Sequence, residues 1–291
     1  MSSEDVVVAL AKILSPDEMR ANCERWRASQ ESLAFVPTMG ALHEGHMSLA
    51  LEAKKIAQRT VVSIFVNPLQ FGPKEDFATY PRTLEHDVKM LGAIGVDALF
   101  LPNARDVYPD GFQTYVRNEA MSSFLCGQHR PGHFQGVLTV VAKLFHIVSP
   151  DFALFGKKDY QQFRLIEKMA KDLSFRTKVL GLPTVREKDG LAMSSRNAKL
   201  TSGERAKAAQ IYAGLKVVRD LYDQGERRVE HLAAAFVAIL ARVPELRLEY
   251  FEIRYQENLD SVPHELNKRP AVALVAAHLG SVRLIDNLEL S

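Results

Sequence analysis

The sequence predicts an α/β protein, a parallel sheet covered by helices, followed by a smaller C-terminal α+β domain. Short apolar, β-branched runs of strand length recur at 33–36, 60–66, 98–101, 152–155 and 178–182, with helix-like stretches between most of them. That alternation builds parallel sheets. Beyond about Pro183 the order changes to two helices and then the strand-like runs 246–254, 271–276 and 282–285, which read as an antiparallel sheet. The division this implies is 1–183 and 184–291, joined by the loop 184–199. A loop that joins domains and carries chemistry suits a lid.

Each element has a local reason. Ser15-Pro16-Asp17-Glu18 is a capping box with proline at the first helical position, and its helix leads into the first of these strands. The stretch 136–149 is apolar on nearly every side, through Val137, Val140, Val141, Leu144 and Ile147, so it predicts a buried helix ending before Pro150. Thr201 to Glu204 is a second capping box, opening a helix to near Gly225, and another helix covers 227–242.

Composition narrows the function. The 291 residues are 47% hydrophobic and 25% charged, enough to bury a sizeable core and too apolar for a disordered chain. Lys and Arg number 37 against 35 Asp and Glu, and a net charge of +2 supplies no general field for coating nucleic acid. No apolar run approaches the roughly 20 residues of a membrane span. The Met-Ser-Ser-Glu-Asp opening is acidic where a leader would be basic, so the expectation is a cytoplasmic protein with no membrane or nucleic-acid partner. Cys23 and Cys126 are too few for a disulfide framework or zinc cage and read as buried spectator thiols.

The chemistry concentrates at strand ends. Pro37-Thr38-Met39-Gly40-Ala41-Leu42-His43-Glu44-Gly45-His46 joins the strand at 33–36 to an amphipathic helix. Free backbone N–H groups and a helix dipole at such a turn predict a phosphate site, with Gly45 letting a nucleotide lie against the backbone. The two imidazoles would hold oxygens whose charge grows during displacement at phosphorus. In isolation His-x-x-His reads more simply as a helix cap or a metal pair; the strand and glycines favour phosphate, and no third ligand of metal-site spacing lies nearby. Walker A and Gly-x-Gly-x-x-Gly patterns are absent.

Three further clusters follow. Asn67-Pro68-Leu69-Gln70-Phe71-Gly72 closes the second run; Gln70 offers an uncharged donor and acceptor, although Asn-Pro with Gly is also an ordinary turn. In Gly156-Lys157-Lys158-Asp159-Tyr160-Gln161-Gln162, Gly156 permits close approach, lysine neutralises phosphate and Asp159 accepts from ribose hydroxyls, against the plainer reading of a solvated lysine pair. Met193-Ser194-Ser195-Arg196-Asn197 sets hydroxyls beside a guanidinium, which suits triphosphate oxygens; alone it is an ordinary polar loop.

The pairing of His-x-Gly-His after a strand with a later Met-Ser-Ser-Arg loop resembles the nucleotidylyltransferase superfamily. With Phe65 to Phe71, Arg130-Pro131-Gly132-His133-Phe134, Lys158 to Gln162 and Gly190 to Asn197, the sequence resembles the pantoate–β-alanine ligase (pantothenate synthetase) family over residues 37–197. The resemblance implies a Rossmann-like domain and an ATP-dependent ligase of pantothenate biosynthesis, on the route to coenzyme A. It joins pantoate to β-alanine through pantoyl adenylate, and releases AMP and pyrophosphate. It implies ATP as substrate with Mg2+ accompanying it, no protein metal site, and a homodimer. By carry-over, Met39, Gly40, Ala41, Leu42, His43, Glu44, Gly45 and His46 surround ATP, with His43 and His46 on its phosphates and His46 as proton donor. Gly156, Lys157, Lys158, Asp159, Val185, Met193, Ser194, Ser195 and Arg196 complete the nucleotide site, of which Lys158, Ser194, Ser195 and Arg196 join the histidines in catalysis. Gln70 and Gln162 hold pantoate with Pro37, Thr38 and Asn67 beside them, and Gln70 also lies toward β-alanine. Family members often carry glutamate where this chain has Lys157. The nearest other reading is another adenylyl-transferring ligase of the same fold, and a more distant one a nucleic-acid-binding relative of a synthetase.

Overall fold

A computed structural model describes residues 10–73 and 75–291; the acidic opening of the chain lies outside them. They form two compact units. The first holds the described residues up to Asn118, Arg130–Gly156 and Leu165–Leu182; the second holds Glu119–His129, Lys157–Arg164 and Pro183–Ser291.

The first unit is built on a six-stranded parallel sheet of β1 (Ala11–Ile13), β2 (Leu33–Thr38), β3 (Arg59–Ile64), β4 (Ala98–Phe100), β5 (Phe152–Gly156) and β6 (Lys178–Leu182), in the order β1-β4-β3-β2-β5-β6. Its helices are α1 (Pro16–Ala28), α2 (Glu44–Ile56), α3 (Leu84–Ile94), the short α4 (Ala104–Val107), α6 (His133–Val148) and the later part of α7 (Tyr160–Asp172). Alternation along the strands sends Ala34, Val36, Val62 and Leu99 to one face, where Leu49, Ala50 and Ala53 of α2 and Leu91 of α3 bury them. Helices α1 and α6 lie together and touch β2. Ser15 caps α1 through its hydroxyl with Pro16 at the first turn, as its sequence requires. Helix α6 is buried along most of its length and stops at left-handed Ser149 before Pro150. It starts at His133, three residues ahead of the apolar run, because left-handed Gly132 admits the chain there. Strand β1 has no counterpart in the sequence reading.

The second unit contains α5 (Cys126–His129), the first residues of α7, α8 (Ser202–Ala208), α9 (Gln210–Asp223), α10 (Val229–Leu240) and an antiparallel sheet of β7 (Leu246–Tyr255), β8 (Ala271–Leu279) and β9 (Val282–Leu290). The single helix expected from Thr201 to Gly225 is two, α8 and α9, meeting at Ala209, while the Thr201/Glu204 capping box forms with both of its hydrogen bonds. Phe236 of α10 stacks on Phe251 of β7 at 4.1 Å, and Leu232, Val275 and Leu284 join them in the core.

Both cysteines are buried and free, and burial pushes the Cys23 thiol up to about 12, which leaves it unreactive. Among the described residues no helix is long and apolar enough to cross a membrane.

Candidate active site

The strand order reverses between β2 and β5, and open parallel sheets bind ligands outside the carboxyl ends of the strands at such a point. After β2 the chain turns left-handed twice, at Gly40 (φ +83°) and Ala41 (φ +50°), and enters α2 with His43 as N-cap. The left-handed alanine costs about 1–2 kcal/mol and needs support. Asp87, buried in the first turn of α3, supplies it: one carboxylate oxygen accepts from Ala41 N at 3.0 Å, the other from Leu42 N at 3.0 Å and from the Thr83 hydroxyl at 2.9 Å. Buried Thr38 donates its hydroxyl to Ser63 O at 2.7 Å and accepts from Gly40 N at 3.2 Å.

The two imidazoles hold the helix start reciprocally. Gly45 N donates to His43 Nδ1 at 3.1 Å, and His43 N donates to His46 Nδ1 at 3.3 Å, with the ring centroids 4.1 Å apart. Both Nδ1 atoms accept, which assigns the N–H of each neutral ring to Nε2. The backbone amides of Gly40, Ala41, Leu42, His43, Gly45 and His46 all donate inside the protein, so an anion at this turn would rely on them less than on the imidazoles. Capping and phosphate binding also cease to be rival readings of the histidines, because capping uses Nδ1 and leaves the donor role to Nε2. Glu44, the first residue of α2, is exposed.

Asn67-Pro68-Leu69-Gln70 forms a 3-10 turn after β3. Asn67 is buried and fully engaged: its amide nitrogen donates to Gln70 Oε1 at 3.1 Å and Gly136 O at 3.0 Å, and its oxygen accepts from Tyr108 at 2.8 Å and Leu69 N at 3.3 Å. Asn67 thus orients Gln70, and a direct substrate contact would have to break one of these bonds. Gln70 Nε2 donates to Met39 Sδ at 2.8 Å, which joins this turn to the β2–α2 turn.

In the second unit, Lys157–Asp159 forms a 3-10 turn ahead of α7. Lys157 is half-exposed and paired with Glu289 of β9, at 2.8 and 3.0 Å, so its charge is already met by a carboxylate of the protein. Asn287 donates to the carbonyls of both Lys157 and Lys158, at 2.8 and 2.9 Å, and Lys158 Nζ lies 3.9 Å from Asp159. Of the two glutamines, Gln161 is buried and engaged with Cys126 N, Met121 O and Phe124 O; Gln162 is half-buried. In the first unit a Cβ at Gly156 would meet nothing within 4 Å, so local packing does not require glycine there.

The loop after β6 is a small hairpin and then a 3-10 turn, Ser195–Lys199, capped by the Ser194 hydroxyl. Met193 N donates to Val185 O at 3.0 Å, bringing together two of the expected nucleotide residues. Arg186 anchors the hairpin through a fork to buried Asp286 at 2.6 and 2.9 Å, and lies over the Tyr212 ring at 3.8 Å. Burial raises the pKa of Asp286 against the opposing pull of Arg186. Asn197 donates to Glu187 and Ala192 O, fixing the turn that presents Ser195 and Arg196.

Sequence reasoning missed Asp87, Arg186, Asp286, Asn287 and Glu289. Each acts on residues distant in sequence, and none stands in a local pattern that marks it.

The family model described as pantoate–β-alanine ligase matches residues 12–289. A pantothenate synthetase of Geobacter sulfurreducens is 49% identical over 270 residues, covering 93% of this chain and 95% of that protein. A crystal structure of the Thermus thermophilus pantothenate synthetase superposes with a TM-score of 0.91 at 44% identity, covering 97% of this chain and 99% of that one. The pantoate–β-alanine ligase of Francisella tularensis, crystallised with an ATP compound and β-alanine, gives a TM-score of 0.79 at 37% identity over 96% of this chain and 97% of that chain. Near-complete coverage and a matching pair of folds lead to one conclusion: this chain belongs to the pantoate–β-alanine ligase family, whose members are ligases.

Proposed function

We propose that the chain condenses (R)-pantoate with β-alanine, using ATP and forming AMP and pyrophosphate through pantoyl adenylate. Beside the family membership, the observation that carries this reading lies in the first unit: an imidazole pair with fixed tautomers is joined through Met39 to the oriented Gln70 amide. Such a pair serves phosphate oxygens, and such an amide serves a carboxylate and its hydroxyls without competing charge.

In the first step a pantoate carboxylate oxygen attacks the α-phosphorus and the bond to the β-phosphate oxygen breaks. Nε2–H of His43 and His46 donates to phosphate oxygens as their charge grows, His46 acting at the departing side. Lys158, Ser194, Ser195 and Arg196 meet the pyrophosphate, and Asp159, Val185 and Met193 accommodate the nucleoside. Gln70 and Gln162 hold pantoate beside Pro37 and Thr38. In the second step the neutral amine of β-alanine attacks the acyl carbon, its nitrogen gives up one proton to solvent, and AMP leaves with the carboxylate oxygen. Residues 1–183 thus carry the nucleotide and pantoate subsites and 184–291 the loop that answers the pyrophosphate. Mg2+ enters with ATP as a counter-ion of its phosphates, a role that needs at most one or two protein carboxylates. Among the described residues no group of three or more acidic, histidine or cysteine side chains could hold a metal unaided. A cytoplasmic homodimer completes the reading.

Oxygen-18 in the pantoate carboxylate tests it. One label is expected in AMP; label in inorganic phosphate together with ADP, in a preparation free of pyrophosphatase and adenylate kinase, overturns the mechanism.

A further inference from the structure

The Arg130-Pro131-Gly132-His133 segment has no part in the mechanism above, yet it surrounds the main chain of Gln70. His133, buried at the start of α6, places Nδ1 2.8 Å from Gln70 O, and Arg130 Nη2 lies 3.4 Å from the same oxygen. Arg130 Nη1 faces His133 Nε2 at 3.0 Å. A guanidinium only donates, so Nε2 must present its lone pair and the proton must sit on Nδ1. The arginine therefore selects the tautomer that donates to the Gln70 carbonyl. Arg130 is oriented in turn by a two-pronged bond to Glu75, at 2.7 and 2.6 Å, a fork that lysine could not make. Burial pushes the Glu75 carboxyl up, but Arg130 outweighs it and keeps the group ionised.

A side chain is only as well placed as its peptide. Asn67 and Met39 fix the Gln70 amide group, but the 3-10 turn ends at Gln70 and its carbonyl lies outside any strand ladder. We propose that Glu75, Arg130 and His133 are positioning residues that set the Gln70 peptide, and through it the affinity for the hydroxy-acid substrate. They act through Gln70 and not by contact with the reacting atoms. The inference rests on reading Gln70 as the pantoate-orienting group.

Steady-state kinetics of five variants test it, with pantoate and ATP varied separately and a thermal melt for each. Asparagine places its amide near the Nδ1 position of histidine, whereas glutamine reaches toward Nε2. His133→Ala and Glu75→Gln are expected to raise the pantoate KM, about tenfold for the former, the worth of one good hydrogen bond, with the ATP KM within twofold of wild type. His133→Asn is expected to recover most of that loss and His133→Gln little of it. Should His133→Ala fail to fold, the Asn and Gln pair still decides the matter. Equal rescue by both, or a parallel rise in both KM values, overturns the positioning role. Gln70→Ala separates the two levels: an unchanged pantoate KM there removes the subsite reading and this inference together. A raised KM in Gln70→Ala beside an unchanged one in His133→Ala removes the inference alone.

Discussion

Replacing Gly136 by alanine drives a methyl group into the peptide that precedes Gln70. A Cβ at this position of α6 would stand 2.2 Å from Leu69 O, 2.4 Å from Leu69 C and 2.6 Å from Gln70 N. Reaching even 3.0 Å from the oxygen requires a displacement of about 0.8 Å, and backbone cannot rotate away as a flexible side chain does. The turn is also tied where it stands, by Asn67 Nδ2 to Gly136 O at 3.0 Å and by His133 to Gln70 O at 2.8 Å. Overpacking of this kind costs about 1–3 kcal/mol of stability, and shifting an orienting group by about 1 Å costs on the order of 100-fold in rate. Elsewhere in a helix the same substitution stabilises by up to about 1 kcal/mol, so the two outcomes differ in sign. The expected result is a kcat/KM for pantoate lowered about 100-fold, roughly 2.7 kcal/mol of transition-state binding, with Tm down by several degrees and ATP binding retained. Steady-state kinetics, a thermal melt and an equilibrium ATP titration read the three quantities. Near-normal kcat/KM in a Gly136→Ala protein of unchanged Tm would refute the argument that this contact sets Gln70.

Asp87→Asn keeps the shape of the buried carboxylate but has one acceptor oxygen for the amides of Ala41 and Leu42; a loss of about 1–3 kcal/mol is expected by urea denaturation, and unchanged stability would show that the left-handed turn holds itself. Lys158→Ala is expected to cost turnover about 2.7–4 kcal/mol, while Lys157→Ala, which breaks a half-exposed pair with Glu289, should cost at most about 1 kcal/mol of stability and little turnover; equal loss of turnover in the two would contradict the separation of their roles. Burial alone pushes the Glu249 carboxyl up, but hydrogen bonds from Arg283 and His278 and the charges of Arg283 and His129 hold it at about 2 against an ordinary 4.5. Its folded form binds a proton less readily than the unfolded chain, so its contribution is complete above about pH 4.5 and is lost as pH falls toward 2. Glu249→Gln should flatten the acid limb of a Tm-against-pH curve, and an unchanged slope would show that the cluster adds nothing.

What was legible in the sequence was local. The apolar runs mark β2 to β9, even the three-residue β4, whose residues are all apolar and buried, whereas β1 spans three residues of which only Ile13 is buried. The Thr201 capping box announces where α8 begins, but nothing in the apolar spacing marks the break at Ala209. At the site, the strand-turn-helix pattern located His43 and His46 but could not show which amides of the turn are already used, because the carboxylate that takes up those of Ala41 and Leu42 lies 46 and 45 residues away at Asp87. His133 and Gln70 are 63 residues apart, and Asn287 and Lys157 are 130 apart. Single side-chain bonds over such separations leave no periodic trace. Asn67 shows the opposite difficulty: its place in a visible motif suggests substrate contact, and only its four hydrogen bonds reveal that it serves Gln70.

The hold of β9 on the Lys157–Asp159 turn has a consequence in time. The first unit has all its segments once Leu182 has been synthesised, but the second interleaves Glu119–His129 and Lys157–Arg164 with residues made much later. Asn287 and Glu289 follow Lys157 by about 130 residues, which at ribosomal speeds of about 5–20 residues per second is a delay of roughly 7 to 26 seconds. Throughout that interval the nascent turn lacks the amide that grips its carbonyls and the carboxylate that holds Lys157. The lysine turn of the candidate nucleotide site is therefore among the last parts of the protein to take shape during its synthesis.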